Sequence, residues 1–237
     1  MMKPRIGLNC DIKHSGRLRS RIAVTYHELV SRHGATPLVI PPGVAPQEVA
    51  PILDGVVLIG GYDYRCGLIE GEAEPERFVA VHPRREQADL LWANFLLKSN
   101  LPVFGICGGF QLLNIVSGGT IYGDLESEVD STIAHRAQQP GEELPNHEIS
   151  WFGGLPAVPE PGLYQVNSSH HQSIKELAPG WQLLAQSKDG IIEAAHAMEC
   201  RIVGVQWHPE EAPEEPLGNK LFQGFIHSCR DLAARRI

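Results

Sequence analysis

One cysteine of the sequence lies in a segment that suits a nucleophile. Positions 103–111 run from an apolar strand-like stretch through the pentapeptide G-I-C-G-G at 105–109 into a helix-like stretch. This pattern is the thiol counterpart of the G-x-S-x-G turn that exposes the nucleophile of serine hydrolases. The glycines permit a sharp turn from strand to helix, and a helix N-terminus favours the thiolate over the thiol. The pattern indicates Cys107 as a nucleophile and the N–H group of Gly108 as an oxyanion donor.

A second pattern, His208-Pro209-Glu210, follows the apolar strand predicted at 202–207. A proline after His208 disfavours helical backbone there and predicts an extended segment. Residues two apart in an extended segment point to the same side, so we expect the imidazole and the carboxylate to meet. Such a carboxylate fixes the tautomer of the ring, orients it and raises its pKa. Together the two patterns predict a Cys107–His208–Glu210 triad.

Each pattern taken alone also fits a purely structural role. Cys107 would then be a small buried residue in a tight turn, because cysteine is commonly buried. His208 would close a strand beside an exposed glutamate, since surface His–Glu pairs are common and weak.

Two weaker signals add to these patterns. Gly60-Gly61 follows the apolar run 56–59, and a glycine pair there allows a backbone N–H to turn toward a ligand and complete an oxyanion hole. The polar run 168–172 (S-S-H-H-Q) could line a substrate pocket. Its adjacent histidines face opposite sides of an extended loop, and no third ligand lies at a zinc-like spacing, so no metal site is expected.

The other thiols lack flanking glycines and are interpreted as packing or incidental residues: Cys10, Cys66, Cys200 and Cys229. With five scattered cysteines and no C-x-x-C pair, the sequence argues against a disulfide scaffold or a zinc ribbon.

The elements that must position these residues follow from hydrophobic periodicity. The first half alternates strands and helices, which predicts an α/β fold with a mostly parallel sheet and helices on both faces. The second half is richer in short β-like stretches, and the chain shows no linker, so one domain over residues 1–237 is expected. The predicted strands cover 5–10, 36–40, 56–59, 101–106, 191–195 and 202–207, and the predicted helices cover 19–33, 84–99, 107–117 and 217–235. We interpret 62–83 as a long surface loop.

Composition excludes several classes of function. The 237 residues carry 20 Lys+Arg against 28 Asp+Glu, a net charge of -8, which argues against a nucleic-acid footprint. No apolar run approaches the roughly 20 residues of a membrane helix, and no secretory leader is recognisable, so a cytoplasmic location is expected. The sequence has no Walker loop and no G-x-G-x-x-G motif, and no cofactor is expected.

Taken together, the motifs resemble the class I glutamine amidotransferase-like superfamily, and within it the gamma-glutamyl-gamma-aminobutyrate hydrolase family. The resemblance spans about residues 5–230. The segments that carry it, in order, are G-G-Y-D at 60–63, G-I-C-G-G-F-Q-L-L-N at 105–114, G-G-T at 118–120 with Asp124, V-N-S-S-H-H-Q at 166–172, D-G-I-I-E-A at 189–194 and G-V-Q-W-H-P-E at 204–210.

The resemblance implies a flavodoxin-like sheet with an added β-rich region, and an activity without cofactor or metal. Cys107 would attack a γ-glutamyl amide carbonyl, release the amine and form a γ-glutamyl thioester, with His208 as base and then acid. Gly61 and Gly108 would form the oxyanion hole. The substrate would be a small γ-glutamyl amine, and its binding residues would be Gly60, Gln111, Ser168, Ser169, His170 and His171.

Two other functions stay open at this point. One is a glutaminase subunit that passes ammonia to a partner synthetase, and the other is a non-catalytic binding protein on the same scaffold. The sequence does not specify the amine of the substrate. It also leaves the oligomeric state open, and a homodimer is one of the possibilities.

The sequence departs from the family pattern at two places near the expected substrate. Many relatives carry Arg after the nucleophile, in G-I-C-R-G, where this chain has Gly108. The family also usually has a Pro and a Tyr-Gly shortly after G-G-x-D, whereas this chain reads Y-R-C-G-L-I-E-G at 64–71. These departures bear on amine specificity more than on the chemistry.

Overall fold

The computed structural model describes residues 3–14, 16–68, 75–137, 139, 142–155, 160–199 and 201–235. The strands are β1 (Arg5–Asn9), β2 (Asp11–His14), β3 (Leu18–Arg21), β4 (Thr36–Ile40), β5 (Gly55–Leu58), β6 (Val103–Ile106), β7 (Thr120–Tyr122), β8 (Asn146–Trp151), β9 (Gly162–Asn167), β10 (Ser173–Glu176), β11 (Gln182–Ser187), β12 (Ile192–Ala197) and β13 (Ile202–Val205). The α-helices are α1 (Val24–Arg32), α2 (Pro46–Val49), α3 (Pro83–Lys98), α4 (Gly108–Val116), α5 (Leu125–Glu128) and α6 (Pro216–Ala234).

Five parallel strands form the centre of the main sheet, in the order β4-β1-β5-β6-β13. Numbered along the chain these strands read 2-1-3-4-5, which is the flavodoxin-like order. The sheet continues through β12, β11, β8 and β9 with antiparallel pairing, and β10 joins β12 to β7. The predicted fold class, a mostly parallel sheet with an added β-rich region in the second half, is confirmed.

Helices cover both faces of the parallel strands, because the side chains of a strand alternate between its faces. Val57 packs in the same cluster as residues of α1 and α6, whereas Val56 and Leu58 pack with residues of α3 and α4. The short apolar strands are thus buried on both sides, as expected for a parallel sheet.

Most predicted elements are found within a few residues of their predicted bounds, and the largest error concerns the first helix. Periodicity predicts a start near Arg19, but the helix begins at Val24. Leu18–Arg21 instead forms a strand that pairs with β2, and Arg21 forms an ion pair of 3.1 Å with Asp11. Cross-strand pairing therefore overrides the apolar periodicity of this stretch.

The segment predicted as a loop at 62–83 contains a short 3₁₀ turn at Arg65–Gly67 and one β-bridge between Asp63 and Ala80. Positions 69–74 of this loop lie outside the described residues. Within the described part of the chain, no helix has the length and apolar character needed to cross a bilayer.

Candidate active site

Cys107 occupies a strained turn between β6 and α4. Its φ of 49° and ψ of -111° lie in a region that non-glycine residues rarely adopt. Two backbone hydrogen bonds hold this turn. The Cys107 N–H donates to Val205 O at 2.8 Å, and Cys107 O accepts from Gln111 N at 3.0 Å. Cys107 lies at the N-terminus of α4, and 6% of its surface is exposed.

The glycines around Cys107 differ in how closely other atoms pack against them. A Cβ atom at Gly109 would lie 2.1 Å from the backbone oxygen of Leu58, and one at Gly105 would lie 2.9 Å from the backbone of Phe110. Both positions therefore require glycine for close packing. A Cβ atom at Gly108 would meet its nearest neighbour, the Gly61 nitrogen, at 3.6 Å, which is an ordinary contact. Close packing therefore does not require glycine at position 108 as it does at 105 and 109.

His208 and Glu210 meet, as the sequence predicted. The Nδ1 atom of His208 lies 2.7 Å from Oε1 of Glu210, and the carboxylate is 1% exposed. The extended backbone predicted for this segment is wrong, however. Glu211 N–H donates to His208 O at 3.1 Å and closes a turn with Pro209 at its second position, where proline is favoured.

The surroundings of His208 favour its protonated form. Burial alone lowers the pKa of His208, but the Glu210 carboxylate and the Cys107 sulfur outweigh burial and raise the pKa well above its ordinary value. Because Nδ1 is engaged with Glu210, Nε2 is the ring nitrogen left to exchange a proton with the sulfur. This arrangement can stabilise a thiolate–imidazolium pair.

Asn167 fixes the backbone of His208 and was not singled out from the sequence as a site residue. It ends β9, and its Nδ2 donates to His208 O at 2.8 Å while its Oδ1 accepts from His208 N at 2.8 Å. The only sequence signal was its place in the V-N-S-S-H-H-Q motif.

The Gly60-Gly61 turn lies directly against the nucleophile and the base. A Cβ atom at Gly60 would lie 3.2 Å from His208 Cε1 and 3.4 Å from Cys107 Cβ. The Gly61 nitrogen lies beside Gly108, the first residue of α4, whose N–H has no acceptor within the helix. Two backbone nitrogens, those of Gly61 and Gly108, therefore lie close to one another beside Cys107.

Arg85 of α3 supports this turn through a hydrogen bond to its backbone. The only sequence signal for Arg85 is its place on a predicted helix. Its guanidinium is fully buried, and Nη2 donates to Gly60 O at 2.9 Å. Its Nε donates to Asp89 Oδ2 at 3.0 Å, and Nη1 lies 3.4 Å from Asp11 Oδ1. Burial alone lowers the pKa of Arg85, but the neighbouring Tyr64, Asp89 and Asp11 outweigh it and raise the pKa.

Tyr26 is a second buried support whose role periodicity does not reveal. The sequence placed it on the apolar face of a helix, but its hydroxyl accepts a hydrogen bond of 3.2 Å from Gly60 N. Burial and the nearby Glu210 carboxylate raise the pKa of Tyr26, so the hydroxyl keeps its proton.

Gln111 is linked to the nucleophile through Gln206, which sequence reasoning also missed. Gln206 Nε2 lies 3.5 Å from Cys107 Sγ, and its Oε1 accepts from Gln111 Nε2 at 3.2 Å. Gln111 Nε2 also donates to Gln172 O at 2.9 Å. The side-chain nitrogen of Gln111 is therefore engaged with protein groups.

The remaining predicted substrate-binding residues do not form one group in the structure. Ser168 is fully buried and its hydroxyl donates to His135 O at 2.8 Å, whereas Ser169 is exposed. His171 Nε2 lies 3.1 Å from both carboxylate oxygens of Asp63. His170 turns the other way, into a buried cluster, as expected for adjacent residues.

That cluster is the place among the described residues where side chains could hold a metal ion. Glu193, fully buried on β12, is surrounded by His135, His147 and His170. Potential ligand atoms of His135, His170 and Glu193 lie within 4.8 Å of one another. Burial first, and then the neighbouring histidines, lower the pKa of His170, which favours its neutral form.

The other described thiols are free. Cys10 and Cys229 are buried, and Cys66 is exposed. Cys200 lies outside the described residues.

The chain is similar to several known proteins. The sequence profile of the peptidase C26 family matches residues 4–210. The gamma-glutamyl-gamma-aminobutyrate hydrolase PuuD of Escherichia coli K12 is 31% identical, over 100% of this chain and 97% of that protein. The putative glutamine amidotransferase PB2B2.05 of Schizosaccharomyces pombe is 34% identical, over 86% of this chain and 81% of that protein.

A solved structure has a similar fold. The crystal structure of a putative GMP synthase subunit from Thermoplasma acidophilum superposes with a TM-score of 0.66. The alignment covers 100% of this chain and 98% of that chain, at 18% sequence identity. At this identity the likeness shows the fold alone.

Proposed function

The chain belongs to the peptidase C26 family of class I glutamine amidotransferase-like hydrolases, and on that premise we propose that it hydrolyses a γ-glutamyl amide through a thioester on Cys107. The substrate class is a γ-glutamyl amine such as γ-glutamyl-GABA, in keeping with the hydrolases that share 31% identity over the full chain.

The first half of the proposed reaction uses the sulfur and the two amides. The Cys107 thiolate attacks the γ-carbonyl carbon, and the carbonyl oxygen becomes an oxyanion that accepts from the N–H groups of Gly61 and Gly108. Collapse of this intermediate breaks the C–N bond. The imidazolium of His208 gives its proton to the departing amine, and the glutamyl group remains as a thioester on Cys107.

The second half of the proposed reaction regenerates the free thiolate of Cys107. Neutral His208 takes a proton from water, and the resulting hydroxide attacks the thioester carbon. The C–S bond breaks, glutamate leaves, and the thiolate is again paired with the imidazolium. Glu210 holds the His208 ring at Nδ1 through both halves, so Nε2 carries every proton transfer.

One observation carries the proposal. A cysteine with a φ of 49° lies at the N-terminus of a helix, against a histidine whose other nitrogen is 2.7 Å from a buried carboxylate. A packing cysteine does not need a strained backbone, and such strain is typical of functional sites.

A second candidate function has support from another relative. The protein PB2B2.05 is named a putative glutamine amidotransferase, which favours a glutaminase that passes ammonia to a synthetase. The chemistry on Cys107 would be the same, but the leaving group would be ammonia and turnover would depend on a partner chain.

The test is an assay of the isolated chain on glutamine and on a panel of γ-glutamyl amines. We expect turnover of γ-glutamyl amines without a partner, and a mass increase on Cys107 that equals one glutamyl group after rapid quenching. Glutamine turnover that appears only with a partner synthetase would favour the second candidate.

The matched controls are two cysteine variants. Cys107→Ala should lower kcat on the order of a millionfold, as removal of a nucleophile does in other triad enzymes. Cys229→Ala removes a thiol of α6 and should leave turnover unchanged. Hydrolysis retained in Cys107→Ala would contradict the assignment of the nucleophile.

A further inference from the structure

We propose that His135, His170 and Glu193 bind a divalent metal ion of the zinc type in the β-rich half of the chain. The three residues come from separate segments: the stretch after α5, the loop before β10, and β12. The separations of 35 and 23 residues along the chain hide the cluster from a search for zinc motifs. All three side chains are buried, and none of them belongs to the proposed Cys107–His208–Glu210 triad.

The hydrogen bonds of His135 leave a lone pair directed toward Glu193. Its Nε2 lies 2.9 Å from Asp189 Oδ2, and because a carboxylate only accepts, Nε2 carries the ring proton. The Asp189 carboxylate also accepts from the hydroxyls of Ser131 and Ser187, which fix it in place. In the neutral ring Nδ1 of His135 is then an acceptor, and it lies 3.7 Å from Glu193 Oε1.

His170 has the same arrangement with its nitrogens exchanged. Its Nδ1 lies 3.0 Å from the backbone oxygen of Gln172, so the ring proton is on Nδ1 and Nε2 is an acceptor. This Nε2 lies 4.0 Å from the same Oε1 of Glu193.

Three buried atoms of this cluster lack a hydrogen-bond partner. Among the described residues, His135 Nδ1, His170 Nε2 and Glu193 Oε2 have no hydrogen-bond partner, although all three atoms are buried. Buried polar atoms in native proteins are almost always paired, and exceptions point to an ion or a water molecule. A cation would pair with all three of these atoms at once, while the other oxygen of Glu193 keeps its hydrogen bond from His147.

Geometry favours a single metal ion over an organic cation. Zinc bonds of about 2.0–2.1 Å place neighbouring ligand atoms about 3.3 Å apart. The two ring nitrogens lie 3.7 and 4.0 Å from Glu193 Oε1, and the three ligand atoms lie within 4.8 Å of one another, so they have to move closer when the ion binds. The burial of the acceptor atoms excludes a bulky ammonium group. His135 and His170 also line a cavity of about 350 Å³, which offers an entry path.

The supporting contacts have the form of a metal site. Histidines that bind metals donate their second N–H to a carboxylate or a backbone carbonyl, as His135 does to Asp189 and His170 does to Gln172. His147 donates from Nε2 to Glu193 Oε1 at 2.9 Å and orients that carboxylate. The ligand set of two histidines and one glutamate suits zinc and leaves a fourth position for water.

Such an ion would join three segments of the β-rich half. It would hold the loop 168–172, whose last residue accepts a hydrogen bond from Gln111 on the helix that follows the nucleophile. Its role would be to fix this loop, and the proposal does not depend on the hydrolase assignment.

The test is metal binding by the full chain, which does not depend on turnover. The purified protein is stripped with a chelator, incubated with Zn²⁺ or Co²⁺, dialysed and analysed for metal content. We expect one equivalent of Zn²⁺ per chain, the visible absorption bands of four-coordinate Co²⁺, and a higher Tm with Zn²⁺ than with chelator.

Variants separate this site from adventitious binding. Glu193→Gln should abolish stoichiometric binding, and Asp189→Asn should weaken it roughly ten- to a hundredfold through loss of the support to His135. His227→Ala removes an exposed histidine of α6 and should bind as the wild type does. Circular dichroism establishes that each variant is folded. Absence of stoichiometric Zn²⁺ in the wild type, or equal binding by folded Glu193→Gln, would overturn the proposal.

Discussion

The guanidinium of Arg85 donates a hydrogen bond of 2.9 Å to the carbonyl oxygen of Gly60. The peptide between Gly60 and Gly61 is trans, so its C=O and N–H groups point in opposite directions. With the oxygen held by Arg85, the Gly61 N–H is directed to the other side, where Gly108 and Cys107 lie. A buried cation therefore sets the orientation of an amide next to the nucleophile.

Replacement of Arg85 should impair the chemical step more than binding. Loss of one oxyanion donor costs on the order of 10²–10³ in kcat, so we expect Arg85→Met to lower kcat roughly a hundredfold with little change in KM. Arg85→Lys, which keeps the charge, should recover part of the loss. Because the buried Asp89 loses its ionic partner and keeps only the hydrogen bond from the Tyr64 hydroxyl, Arg85→Met should also lower the free energy of unfolding by about 3–5 kcal/mol. The double variant Arg85→Met/Asp89→Leu provides a folded control, and an unchanged kcat in it would contradict this role.

Asn167 should act through the backbone of His208. Asn167→Ala leaves the His208 N–H and C=O without their partners and should destabilise the fold by about 1–3 kcal/mol for each group left buried. We also expect a lower kcat, because the ring loses its fixed position. Asn167→Asp preserves the acceptor but loses the donor to His208 O. Kinetics and thermal unfolding of the two variants should therefore rank the wild type first, and equal kcat values in all three proteins would exclude a positioning role.

The pKa of His208 predicts a pH effect with a definite sign. Glu210→Gln removes a charge that raises the pKa of His208, so the imidazolium is lost at a lower pH. The alkaline limb of kcat/KM should therefore move to lower pH in this variant. An alkaline limb at the same pH in both proteins would show that another group controls it.

The same shift predicts a pH-dependent stability. A histidine whose pKa is raised by folding contributes stability that is fully present below its unfolded pKa of about 6.5 and is lost as the pH rises through the folded value. The wild type and Glu210→Gln should differ in their free energy of unfolding, and His208 contributes part of that difference. This contribution should shrink as the pH rises above about 6.5. Urea unfolding at several pH values measures this difference.

Gly108 offers a test of specificity. Because a Cβ atom there makes only ordinary contacts, with the nearest atom at 3.6 Å, we expect Gly108→Arg to fold with a Tm near that of the wild type. A guanidinium beside the nucleophile should lower KM for γ-glutamyl amines whose amine carries a carboxylate, since it can pair with that group. Gly108→Ala is the neutral control, and an equal KM in the two variants would oppose this prediction. Gly109→Ala, whose Cβ atom would lie 2.1 Å from Leu58 O, should instead destabilise the fold.

Local patterns were sufficient to predict the parallel sheet, the position of Cys107 after its strand and the meeting of His208 with Glu210. These features depend on short-range physics: the steric freedom of glycine, the alternation of apolar residues, and contacts between residues two apart. The turn at Pro209 changed the backbone of that segment but preserved the contact.

Tertiary structure alone decided which distant residues support the site. Arg85 and Tyr26 lie on different helices, yet both bind the backbone of Gly60. Periodicity assigns Tyr26 to an apolar face because it reports burial and does not reveal what a buried hydroxyl bonds. His135, His170 and Glu193 likewise meet only because the β-rich half folds three segments together. Contacts between residues far apart in the chain leave no spacing rule in the sequence, so they become visible only when the chain is folded.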